Sequence, residues 1–144
     1  MGASKVKLAI TIALHEVVRK TGAALYVAVD GPTVRVAERV AFVPDALVAP
    51  LPEPAPDSLE IPNPVIVVEV LSPSTARMDA TTKLRGYFDV PSIQHYLIVD
   101  PEWQTVTHHK RGSSAIETRV VAEGTLALDP PGLEIRLSEI FAPA

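Results

Sequence analysis

Cysteine is absent from this chain of 144 residues, so disulfides and thiolate metal sites are both excluded, and any bound metal would be held by oxygen or imidazole. Freedom from disulfides suits a reducing cytoplasm. Long apolar runs are missing too. The stretch Leu8-Ala9-Ile10-Thr11-Ile12-Ala13-Leu14 behind Lys5 and Lys7 imitates a signal peptide faintly, but His15, Glu16, Arg19 and Lys20 follow at once without a cleavage site. A helix that does not enter a membrane is the expectation. No surplus of positive charge is present either: the formal net charge is -4, which argues against nucleic-acid binding through bulk positive charge alone. Internal repeats and low-complexity segments are also lacking.

What is there suits one globular domain over residues 1–144, since 47% of the residues are apolar and 21% charged. The charge is uneven. Residues 1–50 carry six Lys or Arg against four acids, whereas residues 51–100 carry three against seven, which permits a basic face beside an acidic site.

Apolar positions Val6, Ile10, Ala13 or Leu14, and Val17 recur at helical spacing over residues 4–22, with Ser4 as the expected cap and Gly22 as the stop. Residues 24–30 and 34–43 read as extended segments joined by the Asp30-Gly31-Pro32 turn, hence as a hairpin. A short strand over residues 46–48 precedes a stiff irregular loop, residues 50–64, that contains six prolines. A second helix is expected between residues 72 and 91. Ser72, Ser74 and Thr75 offer caps, and Ala80, Leu84, Tyr87 and Phe88 form an apolar stripe that Pro91 ends. Gly86 inside that helix costs about 1 kcal/mol relative to alanine, tolerable where another backbone packs close. Residues 96–100 form a further buried strand, followed by a C-terminal β-meander and a helical turn near residues 138–141.

The strand Val65-Ile66-Val67-Val68-Glu69-Val70-Leu71 shows no alternation and therefore reads as covered on both faces. One acid sits in its middle. A carboxylate among so many aliphatic side chains needs a partner or a task, because burying an unpaired charge costs several kcal/mol. Asp45, after Pro44 at a strand start, supplies a second acid, and Asp79, Lys83 and Tyr87 follow at spacing four along one side of the second helix. Packed back on the strand, that helix lets Lys83 face Glu69. Two carboxylates on neighbouring strands with an ammonium suit metal-assisted phosphodiester hydrolysis: a hard divalent ion takes oxygen ligands, and a lysine orients water or stabilises charge on phosphorus. The structural alternatives are a buried ion pair of Glu69 with Lys83 or Arg85, and an exposed Asp79–Lys83 pair worth 0.3 to 0.5 kcal/mol at about the helix-surface level.

Other polar positions carry weaker signals. His108 and His109 are adjacent, point to opposite faces of a strand and cannot chelate one metal together; with Lys110 and Arg111 they read as a solvated strand end or a basic edge. Trp103 is a candidate for base stacking, Tyr96 for the core, and Tyr87 for either site or core. No histidine stands at a spacing that would make Ser72 or Ser74 a nucleophile.

Taken together, Val43-Pro44-Asp45, Val68-Glu69-Val70-Leu71-Ser72-Pro73-Ser74-Thr75, Asp79 with Lys83 and Tyr87, Val90-Pro91-Ser92-Ile93 and Tyr96-Leu97-Ile98-Val99-Asp100-Pro101 resemble the Uma-two family, described as putative restriction endonucleases. The segments from Gly132-Leu133 to Ile140-Phe141 are similar as well. That family is similar to the PD-(D/E)xK nuclease superfamily, so the resemblance implies an α/β (α+β) restriction-endonuclease-like core: an N-terminal helix, a central mixed sheet flanked by helices, and the C-terminal meander. It also implies Asp45 and Glu69 as ligands of Mg2+ or Mn2+, the Val70 carbonyl as a further ligand, Lys83 assisting the water, and Asp79 supporting the lysine or the metal's surroundings. DNA as substrate, a cytoplasmic location, no membrane and a homodimer follow by the same resemblance. A catalytically silent relative that binds nucleic acid or a protein partner is the alternative. The chain departs from the superfamily pattern at Leu71, where the motif lysine should stand, and in smaller ways at Val43, Asp89 and Leu97; it also begins almost at its first helix, where many relatives carry extra residues.

Overall fold

The computed structural model describes residues 2–73 and 80–141. Helix α1 (Ala3–Thr21) buries Val6, Ile10, Ala13, Leu14 and Val18, one stripe of a 3.6-residue period, and stops where Gly22 adopts φ +67 and returns its N–H to the Arg19 carbonyl. The start differs from expectation. Ser4 lies inside the helix and the flanking residue is Gly2, with no side-chain cap.

A six-stranded sheet forms the centre, in the order β1 (Leu25–Val29), β4 (Ala46–Pro50), β5 (Ile66–Val70), β6 (His95–Asp100), β7 (Thr105–Arg111), β8 (Ile116–Val121). Only β5 and β6 are parallel, joined through helix α2 (Ala80–Phe88); all other neighbours are antiparallel. This is the expected mixed sheet. The hairpin expected around Asp30-Gly31-Pro32 is not formed: β1 pairs with β4, and residues 34–43 fold on themselves as a separate hairpin, β2 (Val34–Ala37) with β3 (Val40–Phe42). Turn chemistry at residues 30–32 is satisfied, with Asp30 and Gly31 at φ +62 and +97, but the chain leaves the sheet there. Pairing went instead to β4, whose first four residues are all buried.

Each face of the sheet carries its own apolar layer. On one side, α1, the hairpin β9 (Thr125–Leu128)–β10 (Leu133–Arg136) and the terminal turn α3 (Leu137–Ile140) cover Ala46, Val48, Ile66, Val68, Val70, Leu97, Val99 and Val106. On the other, α2 and the β2–β3 hairpin cover Leu47, Ala49, Val67 and Tyr96. The expected C-terminal meander is therefore divided. Strands β6, β7 and β8 continue the central sheet, whereas β9 and β10 form a two-stranded sheet against α1.

The prolyl loop between β4 and β5 is irregular, as expected, and is pinned at Glu60, which bridges to Thr33 and pairs with Arg35. Gly86 makes room for a ring rather than for a backbone, since a Cβ there would stand 2.5 Å from Cε2 of Phe42. Phe42 in turn meets Tyr87 edge-on, at 5.2 Å between centroids. The expected caps at Ser74 and Thr75, together with Asp79, lie outside the described residues. Among those described, no helix is long and apolar enough to cross a membrane.

Candidate active site

Strand β5 is buried at Ile66, Val67, Val68 and Val70, and Glu69 is its one partly exposed position. Alternation sends Val67 and Glu69 to the α2 side of the sheet and Ile66, Val68 and Val70 to the α1 side. The acid thus faces the helix that follows it. Lys83 donates to Glu69 Oε1 at 2.5 Å, and Tyr87, one turn further along α2, donates its hydroxyl to Oε2 at 2.8 Å. Spacing of four on the helix has become two donors on one carboxylate. Glu69 and Lys83 side chains remain 15% and 21% exposed, so the pair is largely but not wholly withdrawn from water.

Asp45 stands immediately before β4. The antiparallel register ends with Ala46 opposite Val68, and the Asp45 N–H meets the Val68 carbonyl at 2.9 Å, one residue before Glu69. Asp45 Oδ2 accepts the Val70 N–H at 2.6 Å, and Oδ1 pairs with Lys7 of α1 at 3.1 Å. Two carboxylates, one on β5 and one just ahead of β4, therefore each hold an ammonium group. Glu69 takes its lysine from α2, and Asp45 from α1.

Tyr87 is wholly buried, and burial together with the Glu69 carboxylate pushes its phenol far above the ordinary tyrosine range. It stays a hydrogen-bond donor at any physiological pH. Tyr96 packs at 4.8 Å from it and is likewise shifted upward, by burial first and Glu69 second. Arg111 fixes the far end of α2: its Nε donates to the Ile93 carbonyl at 2.7 Å, its Nη2 to those of Phe88 and Val90, and its guanidinium lies 5.1 Å from the Phe88 ring centroid. The expected solvated or phosphate-touching edge at Arg111 is thus corrected. The side chain is engaged by three carbonyls, one at the last residue of α2 and two in the turn that follows it.

Of the expected site residues, Glu69 and Lys83 meet directly, Asp45 stands beside them across one strand pair, and Asp79 lies outside the described residues. Val70 takes part through its N–H. Glu69 pairs with Lys83 and not with Arg85. Leu71, at the superfamily's lysine position, is an exposed hydrocarbon whose N–H serves β6 through the Val99 carbonyl. Lys7 was not visible as a site residue; its only signal is a place beside Val6 at the margin of the apolar stripe of α1. His95 and His108 were missed as well. Both are buried, with His95 Nδ1 2.8 Å from His108 Nε2 and His95 Nε2 2.7 Å from the Pro130 carbonyl. His109 does point to the opposite face from His108, stacking on Tyr96.

The donor set around Asp45 and Glu69 is oxygen only, which fits a hard divalent ion and not a soft one. No group of three His, Cys, Asp or Glu able to hold a metal occurs among the described residues, so two carboxylates would leave the remaining positions to carbonyl, water and substrate. Two surface concavities, one lined by His15, Arg19, Tyr26 and Glu53 and one by Gln104, Glu123, Arg136 and Phe141, include none of Asp45, Glu69 and Lys83.

Residues 3–140 match the Uma2 family, whose description is "Putative restriction endonuclease". The chain belongs to the Uma2 family. A curated relative, the uncharacterized protein sll1609 of Synechocystis sp., is 35% identical over 72 residues, which cover 49% of this chain and 41% of that relative's length. A crystal structure described as a putative nuclease belonging to DUF820, from Anabaena variabilis, covers 99% of this chain and 82% of its own with a TM-score of 0.71 at 18% identity. At that identity the likeness speaks for a shared fold. Uma2 membership and this fold agree with the resemblance drawn from the motifs around Asp45 and Glu69.

Proposed function

We propose that this Uma2 chain is a divalent-metal-dependent endonuclease that hydrolyses DNA phosphodiester bonds in the cytoplasm, with Asp45 and Glu69 holding Mg2+ or Mn2+ and Lys83 assisting the nucleophilic water. The observation that carries it is the pair of carboxylates, Glu69 on β5 and Asp45 at the start of β4 bonded to the Val70 N–H, each held by a lysine. The Val70 carbonyl would complete the protein's share of the ligands, and Asp79 would support Lys83.

A bound divalent ion supplies Lewis-acid activation of water and of the phosphoryl oxygen. The chain's own residues do the rest. Val70 N–H fixes the rotation of Asp45, and Tyr87 fixes that of Glu69, so both carboxylates are oriented before any ligand arrives. Lys83 donates to Glu69 through one N–H, and a further N–H of its ammonium would serve the water and charge building on phosphorus. Lys7, the more exposed of the two lysines, stands where the backbone of a nucleic acid would reach the site. Leu71 cannot take the part of the superfamily lysine, which leaves that part to Lys83.

The test is cleavage of mixed DNA substrates with magnesium or manganese, comparing the parent chain with a Glu69→Ala protein shown to be folded. Loss of at least a hundredfold is expected; equal activity would remove Glu69 from the mechanism. A second reading is favoured by one observation: both oxygens of Glu69 already have donors, as in a purely structural ion pair. A silent domain of that kind binds manganese no better than its Asp45→Asn variant, whereas an active site loses most of its affinity, a difference calorimetry reads directly.

A further inference from the structure

Strand β8 closes one side of the central sheet, and nothing among the described residues covers it. Ile116, Glu117, Thr118, Arg119 and Val120 are all exposed, with Ile116 at 38% and Val120 at 68%. A strand at this position presents a row of unpaired N–H and C=O groups, and folded chains ordinarily blunt such an edge with lysine, proline or a bulge. Lysine, proline and a bulge are all missing between residues 116 and 121, where Glu117 and Arg119 are the charged side chains, and the register of β8 on β7 is regular from Arg111↔Ile116 to Val106↔Val121. Its two charges are one of each sign.

We infer that β8 is the surface through which two copies of this chain associate, antiparallel and centred on Thr118. A two-fold contact requires residue i to meet j while j meets i. Centred on Thr118, the pairs are Ile116 with Val120, Glu117 with Arg119, and Thr118 with itself, each heterologous pair occurring twice. Apolar meets apolar and acid meets base. Sliding the partner by two residues sets Glu117 against Glu117 or Arg119 against Arg119. Parallel in-register pairing does both. Sliding by one turns the aliphatic side chains onto the wrong face. The charges thus select one register, since opposite charges directly across a strand pair stabilise it and like charges oppose it.

The face assignment agrees. Ile116, Thr118 and Val120 lie opposite Arg111, His109 and Thr107 of β7, and the Thr118 hydroxyl is 2.7 Å from His109 Nδ1. In the pair of copies the aliphatic side chains would extend that side of the sheet across the symmetry axis. Six residues a side bury less than the roughly 1,000 Å² of a stable interface, so the dimer is a weak, transient one. This surface stands independently of the nuclease reading.

Sedimentation velocity on the full chain, from micromolar to near-millimolar concentration, tests it. The parent is expected to shift from monomer to dimer. Glu117→Arg, which sets two like-charged pairs, weakens the dimer at least tenfold, and the exchange Glu117→Arg with Arg119→Glu restores it. A parent monomeric throughout, or a Glu117→Arg protein that dimerises as the parent does, overturns the proposal; so do open-ended oligomers, which signify β8 pairing with the opposite edge strand β1. Register is read separately in this cysteine-free chain. Thr118→Cys places two thiols across the axis at a Cα separation of about 4.5 to 5.5 Å, within disulfide reach, so added diamide yields covalent dimer. Val120→Cys stands two residues from the axis and yields none; equal cross-linking of both would overturn the register.

Discussion

The buried hydroxyl of Tyr87 meets Oε2 of Glu69 at 2.8 Å, from 18 residues further along the chain. The contact ties the one polar position of β5 to the helix that crosses over to β6. It also leaves Lys83 alone on the other oxygen. Tyr87→Phe keeps the ring contacts with Phe42 and Tyr96 and deletes only this bond. A loss of about 1–3 kcal/mol is expected, because a charged acceptor in a largely dry site is left short of a donor. Urea unfolding with an unchanged m-value is the measurement. Cleavage under the proposed mechanism should also slow, through a Glu69 free to rotate.

Acid should destabilise the chain through the pair His95–His108. The Pro130 carbonyl can only accept, so His95 Nε2 carries its proton, His95 Nδ1 is bare, and His108 Nε2 donates to it. Burial depresses both histidines, His108 to about 4, with His95, Lys110, Arg119 and His109 adding to the shift of His108; on His95 the Pro130 bond and Asp129 act against burial, and Lys110 with it. A folded value below the unfolded one means that the unfolded chain takes up protons first. Stability is therefore full above about pH 6.5, falls as the pH drops toward 4, and levels off below, by on the order of 3 kcal/mol for His108. Unfolding midpoints at neutral pH, pH 5.5 and pH 4 measure the slope, and His108→Gln should flatten it.

Much of this architecture could be read from residue order, and the parts that could not share a cause. The stripe of α1, its stop at Gly22, the two-sided burial of β5 and the Lys83–Tyr87 spacing are local patterns, and each survives folding. Glu69 was legible for the same reason, as one charge in a hydrocarbon run. The β1–β4 pairing was not, because Asp30-Gly31-Pro32 signals a turn without saying which strand the chain will lie beside. Lys7 and Arg111 carry no local mark either. One reaches Asp45 from 38 positions earlier, and the other reaches carbonyls at and just beyond the end of a distant helix. His95 and His108 look like lone histidines until β6 and β7 are laid side by side.

Gly86→Ala tests how closely the β2–β3 hairpin sits on α2. Helix propensity favours alanine by about 1 kcal/mol. Against this, the new methyl would stand 2.5 Å from the Phe42 ring, and overpacking costs about 1–3 kcal/mol. Net destabilisation by roughly 1 kcal/mol is expected in thermal or urea unfolding. In a Phe42→Leu background the obstruction is relieved, and the same substitution should become neutral or stabilising.

Lys7→Ala separates the two lysines of the site. The Lys7–Asp45 pair is 44% and 29% exposed at its two side chains, so its removal should cost less than about 1 kcal/mol of stability. Asp45 keeps the Val70 N–H on Oδ2 and gains a free Oδ1. An ammonium and a divalent ion compete for that oxygen, so under the proposed function manganese should bind Lys7→Ala several-fold more tightly than the parent chain. The opposite holds for Asp45→Asn, which removes the ligand along with the competitor. Calorimetric titration of the parent and both variants orders the three affinities, and a Lys7→Ala protein that binds manganese more weakly than the parent would show Lys7 supporting the ion's site instead of contesting it.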